Sequence, residues 1–312
     1  MTLVPFRIER KGTFATPLSR FEPNKAALER EKLKGHLNTD IWDMIRLFVF
    51  LALLLPGCGF AQDFNFEEVL THMKTLTSDE YEGRGMDTKG GEMTKEYISY
   101  HFDSLGLKQF DSSWLQPFNV MHNLKLKKLK GDNVMGYVEG SEFPDRWIVV
   151  SSHHDHMGIM DDKIYNGADD NASGTCALFA VAQYLTANPP RHSVVLVAFD
   201  GEETGLLGSK HFVKNLPMAK DTVILNMNMD MISRNDKSEI FLCGKAHYPQ
   251  AFEALSDLDE LSPINVLFGH DGSDKKDNWT FASDHGNFHK ADIPFIYFGV
   301  EDHKDYHQPT DD

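Results

Sequence analysis

Val194-Val195-Leu196-Val197-Ala198-Phe199 runs directly into Asp200-Gly201-Glu202-Glu203. An apolar run with no alternation is the signature of a strand covered on both faces, as in a parallel sheet with helices on each side. Upstream, Trp147-Ile148-Val149-Val150 leads in the same way into Ser151-Ser152-His153-His154-Asp155-His156. Twice, then, a buried strand ends on ligand-type residues, carboxylates in the first case and imidazoles with a carboxylate in the second.

The segments around these two runs alternate. Val69, Leu70, Met73 and Leu76 give Phe66–Leu76 a helical spacing, and Gly83-Arg84-Gly85 with Gly90-Gly91 marks a glycine-rich loop. Further helices are expected at Met93–Leu105, Ala172–Leu185, Glu203–Leu216 and Gln250–Leu261, with Ser283-Asp284-His285 opening a last one. Strands are expected at Asn133–Glu139, Trp147–Ser152, Thr222–Met229, Glu239–Leu242 and Pro294–Phe298. The pattern predicts an α/β fold, a three-layer sandwich with a mixed, mostly parallel central sheet flanked by helices.

In such a sheet, ligands collect outside the carboxyl ends of the strands. His153, Asp169, Glu203 and Asp230 each fall just after an expected strand or at the start of the next helix, and His307 lies in Tyr306-His307-Gln308-Pro309. Five residues of mixed His, Asp and Glu character suit two zinc ions with no thiolate. Two ions ~3.5–4 Å apart need a shared carboxylate. Asp169, in the sharp Gly-Ala-Asp-Asp-Asn turn, is assigned that bridge, with His153 and Asp230 on one metal and Glu203 and His307 on the other.

Glu202 is read as the general base that takes a proton from the metal-activated water and delivers it to a leaving amine. Asp155, two residues from His153 on an extended segment, is placed to accept that imidazole's second ring proton. His154 and His156 are read as bystanders, and Asn228 and Ser233 as supports for the loop that bears Asp230. Asp284 and His285 are candidate substrate contacts. The sequence has no Gly-x-Ser-x-Gly elbow, no Gly-x-x-x-x-Gly-Lys and no His-Glu-x-x-His, which removes the corresponding hydrolase and nucleotide readings.

A net charge of −16, from 31 basic and 47 acidic residues, argues against nucleic acid or an anionic membrane as partner. Three cysteines are too few for a disulfide framework, and Cys176 and Cys243 read as small buried hydrophobes. Residues 44–61, with Arg46 ahead of the apolar Leu47–Leu55 and small residues at Gly59 and Ala61, read as a signal peptide. That run is far short of the ~20 residues a transmembrane helix needs. Residues 1–43 are a mis-assigned or disordered extension. Cleavage after Ala61 would release a chain from Gln62 that is secreted or periplasmic. The alternative is a lipoprotein anchored through Cys58, since Leu55-Pro56-Gly57-Cys58 resembles a lipobox.

Taken in order, the motifs resemble the M28 family of zinc peptidases, the group similar to bacterial leucyl aminopeptidase. They are Ser152–Gly158, Asn166–Gly174, Phe199–Gly205, Asn228–Asp230 and Tyr306–Asp311, with Leu76–Gly85 similar to the family's N-terminal segment. The resemblance covers about residues 66–312, and the peptidase domain is set at 62–312. It implies a phosphorylase/hydrolase-like fold, peptide substrates, and the same roles for His153, Asp169, Glu203, Asp230, His307, Glu202 and Asp155. It also implies a cis peptide after the bridging aspartate, here Asp169–Asp170. The protease-associated insertion of some members is missing, and relatives usually continue past the equivalent of Asp312 into a closing helix, so a truncated C-terminus is one reading. The implied activity is an exported aminopeptidase, an acidic cleft favouring the substrate's ammonium group. Carboxypeptidases and dipeptidases share the scaffold, and glutaminyl-peptide cyclotransferases and non-catalytic ectodomains are its other relatives.

Overall fold

The computed structural model describes residues 66–122, 127–253 and 255–312. The expected extension 1–43, the signal segment 44–61 and Cys58 lie outside them. Among the described residues no helix is long and apolar enough to cross a membrane.

The fold is built on an eight-stranded sheet. In chain order its strands are β1 (Leu115–His122), β2 (Lys127–Val138), β3 (Phe143–His153), β6 (His192–Phe199), β7 (Val223–Met229), β8 (Glu239–Cys243), β9 (Asn265–Phe268) and β10 (Phe295–Gly299). A small hairpin, β4 (Gly158–Met160) with β5 (Lys163–Tyr165), stands apart. The order across the large sheet is β1-β2-β6-β3-β7-β10-β8-β9. The four central strands β6, β3, β7 and β10 are mutually parallel, and β2 and β8 flank them antiparallel. The mixed, mostly parallel sheet expected from the sequence is therefore present.

Every residue of β6 is buried, as its unbroken apolar run required. Val195, Val197 and Phe199 share one core with Val149, Phe212 and Phe288. The latter two belong to helices α4 (Leu207–Lys214) and α7 (His285–Lys290), which pack together. Helix α3 (Gly174–Ala187) covers the other face: its Thr175 hydroxyl lies 3.3 Å from that of Ser152, one step out of phase with Val149. Each such buried side chain contributes roughly 1.5–3 kcal/mol, and helices on both faces give the three layers.

Helix α1 (Phe66–Leu76) stands where the spacing put it, but α2 (Lys89–Ser104) begins four residues before the expected start. Thr88 caps it by accepting from the Gly91 amide at 3.2 Å. Gly90 fits this first turn because a β-carbon there would lie 1.9 Å from the Tyr81 carbonyl oxygen. The helix expected at Gln250–Leu261 is two short pieces, α5 (Pro249–Glu253) and α6 (Leu258–Leu261). Between them Ser256 donates to the Asp257 carboxylate at 2.9 Å. Strands β1, β4, β5 and β9 were not anticipated. Cys176 and Cys243 are free and buried, as expected.

Candidate metal centre

The four parallel strands end on one rim. His153 closes β3, Asp200–Glu203 follows β6, Asp230 follows β7, and the segment carrying His307 follows β10. Parallel pairing puts these ends together: His153 is in register with Phe199, and Phe298 with Met229.

Two groups of ligand atoms result. In the first, His153 Nε2 lies 3.1 Å from Asp230 Oδ1 and 3.3 Å from Asp170 Oδ1, and Glu202 closes the group. In the second, His307 Nε2 lies 3.1 Å from Asp170 Oδ2 and 3.5 Å from Glu203 Oε2. His156 Nδ1 joins it at 2.7 Å from Glu203 Oε1 and 3.7 Å from Asp170 Oδ2. The two oxygens of Asp170 thus face one group each.

That position corrects the assignment of Asp169. Its Oδ1 accepts from both the amide and the hydroxyl of Ser233, at 2.8 Å each, and its Oδ2 lies 3.2 Å from His303 Nε2. The turn makes adjacent side chains diverge. Gly167 enters it at φ 59°, where a β-carbon would lie 2.0 Å from the Asp170 carbonyl and 2.5 Å from the His156 ring. The Asp311 carboxylate then accepts the amides of both Asp169 and Asp170 at 3.1 Å. The cis peptide is Asp170–Asn171, one bond later than expected. Ser233 therefore anchors Asp169, while Asn228 bonds Ser151 and Ser283 within the sheet layer.

Three further expectations shift. Glu202 and Glu203 sit on a turn ahead of α4, not on its first turn, because the chain folds back there: the Gly205 and Leu206 amides both donate to the Glu202 carbonyl at 2.8 Å. The second nitrogen of His153 faces the main-chain carbonyl of Asp155 at 3.0 Å, with the carboxylate at 3.8 Å. That carboxylate accepts the Glu202 amide at 3.0 Å instead, so Asp155 holds both His153 and the turn of Glu202. Asp284 and His285 are fully buried and do not line the cavity. His285 stacks on Tyr297 with centroids 4.3 Å apart and bonds the Trp279 carbonyl oxygen at 2.8 Å, beneath the site and out of a substrate's reach.

The rim is an electrostatic problem without a cation. Asp155, Asp169, Asp170, Asp200 and Asp230 are all buried, beside the nearly buried Glu202 and Glu203. Burial, reinforced by Asp230 and Asp284, pushes the Glu202 carboxyl well above its usual range against the pull of His153. Burial likewise raises Asp200 and Asp284 to about 7. For Asp170 burial acts in the same sense, but hydrogen bonds with His153 and His307 outweigh it and hold the group below the ordinary carboxylate range. Both ring nitrogens of His156 and Oε1 of Glu203 are buried without a hydrogen-bond partner. Several uncompensated carboxylates are tolerated in an interior only with strong counter-charge. Divalent cations among His and carboxylate donors supply it, and these residues fit two.

Sequence reasoning missed four residues that build this place: Asp170, His156, Arg84 and Asp311. Arg84, 1% exposed, donates to the carbonyls of Leu76, His154, Asn166 and Gly167 at 2.5–3.0 Å, clipping two site loops together. Its setting between two glycines, and the recurrence of Asp beside His307, were the available signals. Above the centre lies a cavity of about 100 Å³. Its polar lining is Asp170, Glu202, Glu203, Asp230, Asp302 and His307; Met231, Trp279, Ala282, Tyr297, Val300 and Tyr306 complete the wall.

Comparison with known proteins adds to the geometry. The sequence profile described as Peptidase family M28 matches residues 133–312. The chain is 36% identical over 124 residues to the Glutamate carboxypeptidase 2 homolog of Caenorhabditis briggsae, covering 38% of this chain and 15% of that protein. It is 29% identical over 204 residues to Aminopeptidase YwaD of Bacillus subtilis (strain 168), covering 60% of this chain and 42% of the other. Both matches span less than half of the relative's length. Among solved structures, BSAP, a zinc aminopeptidase from Bacillus subtilis, shares the fold, with a TM-score of 0.64, 16% identity, and coverage of 78% of this chain and 89% of that one.

Proposed function

The chain belongs to peptidase family M28, and from that premise we propose that it hydrolyses peptide bonds as a two-zinc aminopeptidase. The observation that carries the reading is the pair of ligand groups joined by the two oxygens of Asp170. His153 and Asp230 would hold one ion, Glu203 and His307 the other, and Asp170 both. Zinc bound there would lower the pKa of water and polarise the scissile carbonyl.

The protein's own groups supply the rest. Glu202 lies in the first group beside His153 and Asp230, and burial gives its carboxyl a high proton affinity, as a general base and then acid requires. Asp155 fixes Glu202 through its amide and His153 through its carbonyl. The end of the substrate is chosen by charge. With Asp170, Glu203 and Asp230 on zinc, Asp302 and Glu202 remain in the cavity lining to attract an ammonium, and among the described residues no Lys or Arg lines it to offer a fixed cation to a terminal carboxylate. This favours an aminopeptidase over a carboxypeptidase, and two ligand groups favour it over a one-zinc cyclotransferase. Export under the signal segment 44–61 completes the reading.

The test is hydrolysis of aminoacyl-p-nitroanilides against their N-acetylated forms and N-blocked dipeptides, with chelator and zinc add-back. Free-amine substrates are expected to turn over, to stop on chelation and to recover with zinc. Glu202→Gln should lower kcat by about 10²–10⁴ while leaving the zinc content unchanged. Turnover of the N-blocked dipeptides alone would reverse the choice of substrate end.

A further inference from the structure

We propose that His156 is a ligand of the second metal position, so that this position is held by four protein side chains: Asp170, Glu203, His307 and His156. The inference rests on the two-metal reading above and adds a residue to it.

Among the described histidines, His156 alone has both ring nitrogens buried and without a hydrogen-bond partner, and it is 2% exposed. An imidazole in that state has lost its water without gaining a hydrogen bond, which is unfavourable unless another partner is supplied. Nδ1 lies 2.7 Å from Glu203 Oε1, yet neither atom counts as hydrogen-bonded. The two are close but misaligned, as two donors aimed at a common point would be. Tetrahedral zinc with ligands at 2.0–2.1 Å separates its donor atoms by ~3.3 Å. The spacings His307 Nε2 to Asp170 Oδ2 (3.1 Å), His307 Nε2 to Glu203 Oε2 (3.5 Å) and His156 Nδ1 to Asp170 Oδ2 (3.7 Å) lie near that value. His156 Nδ1 to Glu203 Oε1, at 2.7 Å, lies below it, so an ion would part those two atoms. His156, Asp170 and Glu203 already form one group of mutually close ligand atoms.

The backbone places the ring deliberately. β3 ends at His153, so strand alternation no longer governs residue 156. Arg84 grips the His154 carbonyl on one side and the Gly167 carbonyl on the other. Gly167 leaves no room for a side chain where the His156 ring sits. A position filled by four protein donors has the closed character of a structural zinc site, whereas three donors leave a vertex free. The group of His153, Asp230 and Asp170 would then be the open one, on the side of Glu202.

Zinc-edge X-ray absorption on the zinc-loaded wild-type chain provides the first readout. Three imidazoles shared between two ions are expected; two would overturn the proposal. The second readout is zinc affinity by chelator competition for wild type, His156→Ala and His156→Asn. Asn keeps a donor toward Glu203 but is a poor zinc ligand. Both variants should hold one ion as wild type does and bind the other about 10- to 100-fold more weakly, or beyond. Wild-type affinity in His156→Asn would make His156 a hydrogen-bonding support of Glu203 and sink the ligand role. Two zincs bound with unchanged affinities in both variants would reject this proposal alone, whereas a wild-type chain that binds no zinc would reject the two-metal reading with it.

Discussion

Neighbouring carboxylates can have opposite fates, and Asp169 with Asp170 is the case that matters most here. One is consumed by the Ser233 amide and hydroxyl, the other faces both ligand groups. Asp170→Ala should therefore empty both metal positions, read as zinc retained after dialysis. Asp169→Ala should keep two zincs and lose about 1–3 kcal/mol of unfolding free energy from the stranded Ser233 amide. The reverse pattern would return the bridge to Asp169. The sequence could not separate the two, because which carboxylate points inward depends on a left-handed Gly167 and on amide bonds to Asp311, far along the chain. His153, Glu203, Asp230 and His307 were legible because strand ends alone bring them together. His156 was not, since it sits past the end of its strand, where no periodicity applies.

At the scale of elements, the short 3₁₀ segment Asp79–Arg84 has a task out of proportion to its length. It delivers one guanidinium to four carbonyls, joining α1 to the loops after β3 and before α3. Lysine has the charge but not the fork. Arg84→Lys should lower the urea unfolding free energy by at least ~2 kcal/mol, since carbonyls left unbonded in the interior cost ~1–3 kcal/mol each. A variant within about 0.5 kcal/mol of wild type would mean the clip is dispensable. Strands with unbroken apolar runs were legible because burial on two faces leaves no other composition. The hairpin strand β1 was not, as Gln116, Pro117 and Asn119 interrupt any pattern and only pairing with β2 makes it a strand.

Over the whole molecule, histidines buried in neutral form contribute a loss of stability in acid. Burial lowers His285 to about 3 and His154 to about 3, while burial and the neighbouring His101 lower His72 to about 4. Between these values and the ordinary ~6.5 the unfolded chain binds protons that the folded chain refuses, so stability rises with pH there and falls as pH drops below ~6.5. Asp200 and Asp284, raised to about 7, act in the opposite sense, so the test is differential. Between pH 7.5 and pH 5 the urea midpoint of zinc-saturated His285→Gln should fall less, or rise more, than that of wild type, and an identical pH dependence would remove His285 from the account. The turn that carries Asp170 is tied to Asp311 across 141 positions and to Arg84 across 82 and 83. Contacts of such span close long loops, so the donors meet only when distant parts of the chain do. On the two-zinc reading, an ion that meets the nascent polypeptide finds only scattered donors. Closure of the rim and capture of the cation would then be one event, since folding gathers the carboxylates and the ion makes their company tolerable.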